Sequence, residues 1–133
     1  MALVVFDQGE SMLLQMALNK SAQADLVIDL FTNNVTPTET HTEANYTVMG
    51  ATQGYTQKTL TGANWTISGT TPTLATQSEL TWTFTPAGGP TNIYGYVVKK
   101  GTLALWAETF SGGPWVVQND GDVIKVTPKL SLE

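Results

Sequence analysis

The sequence predicts a mainly β protein, an antiparallel β-sandwich or flattened barrel of about eight strands with one short N-terminal helix. Threonine occurs 22 times among 133 residues, and Trp, Tyr and Phe occur four times each, so side chains that favour strands are abundant. Twelve glycines and six prolines divide the apolar segments into short pieces. We expect one domain over residues 1–133, because no linker separates two apolar cores.

The N-terminal region contains a short apolar segment and the predicted helix. Residues 1–6, MALVVF, lack a positive leader and are too short for a signal-peptide core. They favour a first β-strand, and a hydrophobic anchor for a protein interface is the alternative. Residues 10–20, ESMLLQMALNK, are strong helix formers whose apolar residues recur at i, i+1, i+4 and i+5 from Met12. A helix of about three turns is not stable alone, so we expect it to pack on the sheet.

After residue 24 the apolar period changes to two. In ADLVIDLFT, residues 26, 28 and 30 share one face, whereas Asp25 and Asp29 lie on the other, which we expect to face solvent or a subunit contact. Residues 32–45, TNNVTPTETHTEAN, are polar and contain a proline. They predict a long surface loop of the kind that becomes ordered against a partner.

The remaining strands are short and are separated by turn residues. They are predicted at 46–49, 56–60, 65–67, 80–85, 93–99, 102–110, 115–118 and 123–132, with 68–78 as a loop and 86–90 as a connection. Segment 80–85, LTWTFT, alternates without fault. Lys99, Lys100 and Gly101 indicate a hairpin with the glycine at positive φ. Pro128 cannot donate to a strand ladder, so the last strand is predicted to be bulged or at a sheet edge.

Charge and residue inventory exclude several function classes. Six lysines and no arginine stand against eleven acidic residues, for a net charge of −5, which argues against nucleic-acid binding. The absence of cysteine excludes disulfides, thiolate metal sites and cysteine nucleophiles. No apolar run is long enough to cross a bilayer. We expect no catalytic residues, no cofactor and no metal, and therefore a protein that is not an enzyme.

Two polar segments could hold a site, and each has a simpler interpretation. His41 lies between Glu39 and Glu43, a partial metal or acid–base arrangement, but without a second imidazole a solvated loop histidine is favoured. Residues 119–122, NDGD, resemble part of a calcium loop. The closing acidic ligand of an EF-hand is missing, so an Asp-Gly hairpin turn is favoured.

The four tryptophans could stack on sugar rings or form part of the core. Trp82 lies on an apolar strand face and is predicted to be core. Trp106 and Trp115 flank a Gly-Gly-Pro turn, so they are the better candidates for exposed or interfacial rings, although packing in the core is favoured for them as well.

From residue 26 onward the order of residues carries a resemblance. The quoted stretches are LFTNNVTPT at 30–38, GYTQKTLTGANWT at 54–66, IYGYVVKKGTLALWAETF at 93–110 and GGPWVVQNDGDVIKVTPKLSL at 112–132. The pattern begins with a T-N-N-x-T-P loop, a G-Y before a K-x-L strand, and a tryptophan. It continues with Y-G-Y, L-W-A-E and N-x-G-D-x-I-x-V-T-P. In this pattern the chain resembles a family of small structural proteins of tailed bacteriophages.

The resemblance implies a virion component, assembled in the host cytoplasm, and carries over no catalytic residue. The favoured role is a capsid decoration (cement) protein that binds the major capsid protein as a homo-oligomer, for example a trimer, and stabilises the shell. The alternatives are a neck, baseplate or tail-fibre adaptor in few copies, or a carbohydrate- or receptor-binding β-sandwich module. Neither nucleic acid nor membrane is expected as a partner. The candidate interface residues are Val4, Phe6, Val35, Thr36, Pro37, His41, Trp106 and Trp115.

Overall fold

A computed structural model describes residues 3–85 and 88–132. In chain order its elements are β1 (Leu3–Val5), α1 (Asp7–Ala17), β2 (Leu26–Phe31), β3 (Lys58–Leu60), β4 (Trp65–Ser68), β5 (Thr73–Gln77), β6 (Leu80–Thr83), β7 (Thr91–Ile93), β8 (Gly95–Lys100), β9 (Leu103–Thr109), β10 (Trp115–Val117), β11 (Val123–Val126) and β12 (Lys129–Leu132). Single 3-10 turns occur at Glu43–Asn45 and Gly62–Asn64. The predicted mainly β fold with one N-terminal helix is confirmed, but the described residues form twelve strands instead of about eight, because short segments such as Thr73–Gln77 pair as separate strands. Residues 1, 2, 86 and 87 of the predicted segments 1–6 and 86–90 lie outside the described residues.

The strands form open antiparallel sheets. The largest sheet has the order β1-β9-β8-β2-β3, and smaller sheets pair β10 with β7, β11 with β6, and β12 with β5 and β4. Because the sheets are not closed, the structure is a sandwich rather than a flattened barrel. None of the helices in the described ranges is long and apolar enough to cross a membrane.

The main core lies between the five-stranded sheet and the smaller sheets. Its members are large apolar side chains supplied by nearly every sheet: Ile28, Leu30, Met49, Tyr55, Leu60, Trp82, Phe84, Ile93, Tyr96, Val98, Leu105, Trp106, Val117, Ile124 and Val126. The period-two pattern of β2 explains why Ile28 and Leu30 share one face. The alternation of LTWTFT likewise places Trp82 of β6 and Phe84, which directly follows β6, in the core. The core positions predicted from those two patterns are therefore confirmed.

A second, smaller cluster covers the opposite face of the five-stranded sheet. This outer cluster consists of Phe6, Phe31, Tyr46, Val97, Ala104 and Ala107, with Val35 packed against it. Segment 32–49 crosses this face, since Tyr46 stacks edge-on against Phe31 with ring centroids 5.0 Å apart. The long loop is thus held by its own chain. The expectation that it needs a partner for ordering is corrected by this packing.

One extra residue in β9 brings two neighbouring side chains into the main core. Val98 of β8 pairs with Trp106, but Lys99 pairs with Ala104, so Leu105 has no partner and forms a bulge. Leu105 and Trp106 consequently both belong to the main core, whereas strict alternation would send them to opposite faces. The free carbonyl of Leu105 accepts a hydrogen bond from the Phe6 amide at 2.9 Å.

Helix α1 begins and ends three residues earlier than predicted. It is docked by Gly9, which is buried so closely against the Leu105 carbonyl that any Cβ there would overlap it. The chain leaves the helix at Leu18, and Asn19 adopts a left-handed conformation with φ 56°. Met12 packs on the main core as the apolar pattern predicted.

Four other predictions need correction and one is confirmed. The predicted strand 93–99 is interrupted at Tyr94 into β7 and β8, which belong to different sheets. Segment 68–78 contains strand β5, which pairs with both β4 and β12. Segment 46–49 contributes only a single bridge, from Val48 to Phe31. The predicted last strand, 123–132, is interrupted at Pro128 into β11 and β12, which belong to different sheets. Gly101 has φ 61° in the turn between β8 and β9, as the hairpin prediction requires.

Candidate functional site

The predicted interface residues do not form one surface. Thr36 is exposed, whereas Val4, Val35, His41 and Trp115 are half-buried. Three others are buried, and for them the prediction of a surface role is wrong: Phe6, Pro37 and Trp106. Phe6 fills the outer cluster and Trp106 fills the main core, so packing accounts for both rings.

His41 packs on the outer cluster instead of lying free in solvent. Its Nδ1 is 3.1 Å from the Tyr46 hydroxyl, and its ring meets the Tyr46 ring edge-on at 5.7 Å. Burial raises the pKa of Tyr46 to about 12. No three metal-binding side chains converge within residues 3–85 and 88–132. The role of His41 in this structure is to anchor the loop.

Two polar side chains fix the same loop: Asn33 joins two parts of the loop, and Glu43 connects the loop to the helix and the sheet. The Asn33 side chain donates to the Asn45 carbonyl at 2.9 Å and accepts from the Thr47 amide at 2.8 Å. The Glu43 carboxylate accepts from the Gln8 side chain at 3.0 Å and from the Ala104 amide at 3.2 Å. The hydrogen bond from Gln8 is the largest of the contributions that lower the pKa of Glu43.

A buried carboxylate lies where the sequence predicted a solvent face. Asp29 is 4% exposed, and Lys99 lies 2.6 Å from its Oδ2. The Tyr55 hydroxyl donates to Oδ1 at 2.8 Å and the Gln57 amide donates to Oδ2 at 2.7 Å. The Tyr55 hydroxyl also accepts a hydrogen bond from the Leu30 amide at 2.9 Å. The prediction for Asp29 is wrong because its cation and both donors lie far away in sequence.

Residues 119–122 form a turn closed by a carboxylate. Asp122 accepts hydrogen bonds from the Gln118 and Asn119 amides, both at 2.8 Å, and these lower its pKa. Gly121 has φ 88°. These contacts are those of an Asp-Gly turn, so the turn is confirmed. The hairpin is not formed, because β10 pairs with β7 and β11 pairs with β6.

An apolar groove runs between α1 and the edge strand β12. This leucine groove has a volume of about 580 Å³ and is lined by Val5, Glu10, Leu13, Leu14, Ala17, Leu130, Ser131 and Leu132. Leu14 is 63% exposed and Leu132 is 62% exposed. Leu18, one turn beyond Leu14, is 69% exposed. The apolar stripe of the helix includes Leu13 and Ala17, so the sequence indicates the helical side of the groove. The sequence prediction treats 123–132 as one strand and therefore does not show β12 as a separate edge strand.

An aromatic cleft lies where β9, β10 and β11 meet. It has a volume of about 230 Å³, and the residues on which its chemistry depends are Tyr96, Glu108, Phe110, Trp115, Lys125 and Thr127. Phe110 and Trp115 stack with ring centroids 3.9 Å apart and planes inclined by 7°. The Tyr96 hydroxyl donates to the Glu108 carboxylate at 2.6 Å, and burial raises the pKa of Tyr96 well above its usual range.

Comparison of the chain with protein-family models, curated proteins and solved structures finds no match.

Proposed function

We propose that this chain is a non-enzymatic structural protein of a tailed-phage particle, a capsid decoration protein that binds the major capsid protein and stabilises the assembled shell. The observation that supports this proposal is the structural use of the residues that carry the resemblance to phage structural proteins. They fix loops, turns and strand contacts within one fold.

The first half of the shared pattern holds a loop together and fixes a second segment to the five-stranded sheet. In the T-N-N-x-T-P loop, Asn33 holds the backbone at Asn45 and Thr47, and Pro37 is buried. In the G-Y pair, the Tyr55 hydroxyl bridges Asp29 and the Leu30 amide. These contacts hold the shape of the fold, and none of them is a contact that a reaction would need.

The second half of the pattern has the same character. In Y-G-Y, a Cβ on Gly95 would overlap the Glu108 carbonyl and lie 2.7 Å from the Phe31 ring, so only glycine fits. In N-x-G-D, the Asp122 carboxylate closes its turn. The carboxylates of Asp29, Glu43 and Asp122 accept structural hydrogen bonds, which supports a structural role over acid–base work.

The leucine groove is the surface that suits attachment to the shell. Contiguous exposed apolar side chains on a protein surface mark interaction sites. Leu14 and Leu132 of the groove are each more than 60% exposed, and so is Leu18, which lies one helical turn beyond Leu14 and outside the groove lining. Binding of only the assembled shell would shift the equilibrium toward intact particles. The net charge of −5 would also keep the protein from adhering to packaged DNA.

The test measures copy number and heat stability of particles. Mass spectrometry of purified particles is expected to find a copy number of this chain that is a fixed ratio of the copy number of the shell protein. Particles without the chain are expected to release DNA at a lower temperature. Leu14→Glu and Leu18→Glu should reduce the copies bound by about tenfold or more, since a charge would be buried at the contact. Ile67→Glu is the matched control, because Ile67 is 65% exposed but lies on β4, at the opposite edge of its sheet from β12.

Each result has a distinct meaning. A handful of copies per particle would replace the decoration role by a neck, baseplate or tail-fibre adaptor. Complete absence from particles, or unchanged heat release without the chain, would overturn the proposal. Equal loss of binding in Ile67→Glu and Leu14→Glu would remove the leucine groove as the attachment surface.

A further inference from the structure

The geometry points to a second surface with its own ligand: the aromatic cleft is a binding site for a neutral saccharide, of which it holds one sugar ring. This inference does not rest on attachment to a shell, because it concerns a different surface of the molecule. It is carried by the aromatic platform, the fixed carboxylate and the balance of charge around the cleft.

The stacked rings supply a flat apolar surface that is already ordered. Phe110 and Trp115 each cover one face of the other at 3.9 Å, so each ring fixes the other. Both are half-buried and line the cleft, so the uncovered part of the pair is the apolar surface that a ligand meets. Trp115 is further held by the pairing of β10 with β7, where it lies opposite Ile93. An ordered ring face costs a ligand little conformational entropy, and the apolar C–H face of a pyranose is the kind of surface that packs on it.

The polar groups around the cleft suit hydroxyl groups. Glu108 is held in place by the Tyr96 hydroxyl at 2.6 Å and retains acceptor capacity, because an ionised carboxylate has about four lone-pair sites. Lys125 lines the same cleft and pairs with Glu79 at 3.5 Å, which leaves ammonium hydrogens for a further acceptor. The Thr127 hydroxyl can donate or accept a hydrogen bond. Adjacent hydroxyls of a sugar are both donors and acceptors, so they match this set.

Charge and size narrow the ligand class. Glu108 and Lys125 carry opposite charges, and Lys125 also pairs with Glu79, so the cleft has no excess charge that would select an ion, and a neutral ligand with donors and acceptors fits it. A volume of about 230 Å³ lies below the range of about 300–1,000 Å³ that holds drug-sized ligands. One ring of a longer glycan, bound weakly from an open cleft, is consistent with that size.

The test is a titration of the whole chain with maltopentaose, cellopentaose and chitopentaose, followed by two-dimensional NMR. At least one of these sugars, at concentrations up to about 10 mM, is expected to shift the signals of Trp115 and Glu108 in a saturable way. Glu108→Gln should weaken that binding by about tenfold, because it loses charge-assisted hydrogen bonds. Glu39→Gln, an exposed carboxylate on the long loop, makes the same chemical change away from the cleft and should bind like the parent chain.

The outcomes distinguish binding at the cleft from non-specific binding elsewhere on the chain and from misfolding of the variant. Signals outside the cleft should remain in place in Glu108→Gln, which shows that the variant is folded. The inference is overturned if none of the three sugars shifts the Trp115 signal, if the shifts lie elsewhere on the chain, or if Glu108→Gln binds as tightly as Glu39→Gln. Attachment to particles is measured separately, so either proposal can fail without the other.

Discussion

At the scale of single residues, the most consequential contact is the buried pair of Asp29 and Lys99. Lys99→Met should lower the free energy of unfolding by about 3–5 kcal/mol, because it leaves the Asp29 carboxylate buried without its cation. Tyr55 and Gln57 would still donate to the carboxylate, but a hydrogen bond does not replace a neutralising charge. Urea unfolding followed by tryptophan fluorescence measures the difference.

Lys125→Met is the matched control for this prediction. Lys125 lies 3.5 Å from Glu79, and both side chains are more than half exposed, so their pairing is screened by water. The control should lose less than about 1 kcal/mol. Equal decreases in the free energy of unfolding of the two lysine variants would show that burial does not increase the stability contributed by the pair of Asp29 and Lys99.

The same residues show what a sequence alone can and cannot predict. Alternation placed Asp29 correctly on the face of β2 opposite Leu30, and the LTWTFT pattern placed Trp82 and Phe84 in the core. Alternation could not show that segment 32–49 covers that opposite face, or that Lys99 lies beside Asp29 on a neighbouring strand. Those facts depend on tertiary pairing, which leaves no local pattern.

At the scale of elements, the contact between α1 and the β9 bulge positions the helix. Gly9→Ala should destabilise the protein by about 1–3 kcal/mol, because the added methyl group would overlap the Leu105 carbonyl. The backbone on both sides is fixed, since the same carbonyl accepts the Phe6 amide. Thermal and urea unfolding of the variant measure the loss.

Gly50→Ala serves as the control for the glycine substitution. Nothing lies within 4 Å of a Cβ built on Gly50, so alanine there should be neutral or stabilising by up to about 1 kcal/mol. Destabilisation of similar size in both variants would point to a general cost of replacing glycine and against the helix contact. The bulge also explains why the helix limits were predicted three residues late: the docking point at Gly9 is set by β9, not by helix propensity.

At the scale of the whole molecule, the two apolar clusters share one sheet. Alternation along β2, β8 and β9 sends one residue to the main core and its neighbour to the outer cluster, as in Leu30 and Phe31 or Val98 and Val97. Loss of the sheet would therefore remove both clusters together. We expect the long loop and the sandwich to unfold in a single cooperative transition.

The chain carries a separate reporter for each cluster, which makes this expectation measurable. All four tryptophans lie in or against the main core, so their fluorescence follows the sandwich. His41 is the only histidine and contacts Phe6 and Tyr46 of the outer cluster, so its imidazole NMR signal follows the loop. The two urea midpoints should coincide, and Tyr46→Phe, which removes the hydroxyl next to His41, should lower both by the same amount. A His41 signal that reaches its unfolded position before the tryptophan transition would mean that the loop is a separate unit, because only local opening can release one cluster while the shared sheet persists.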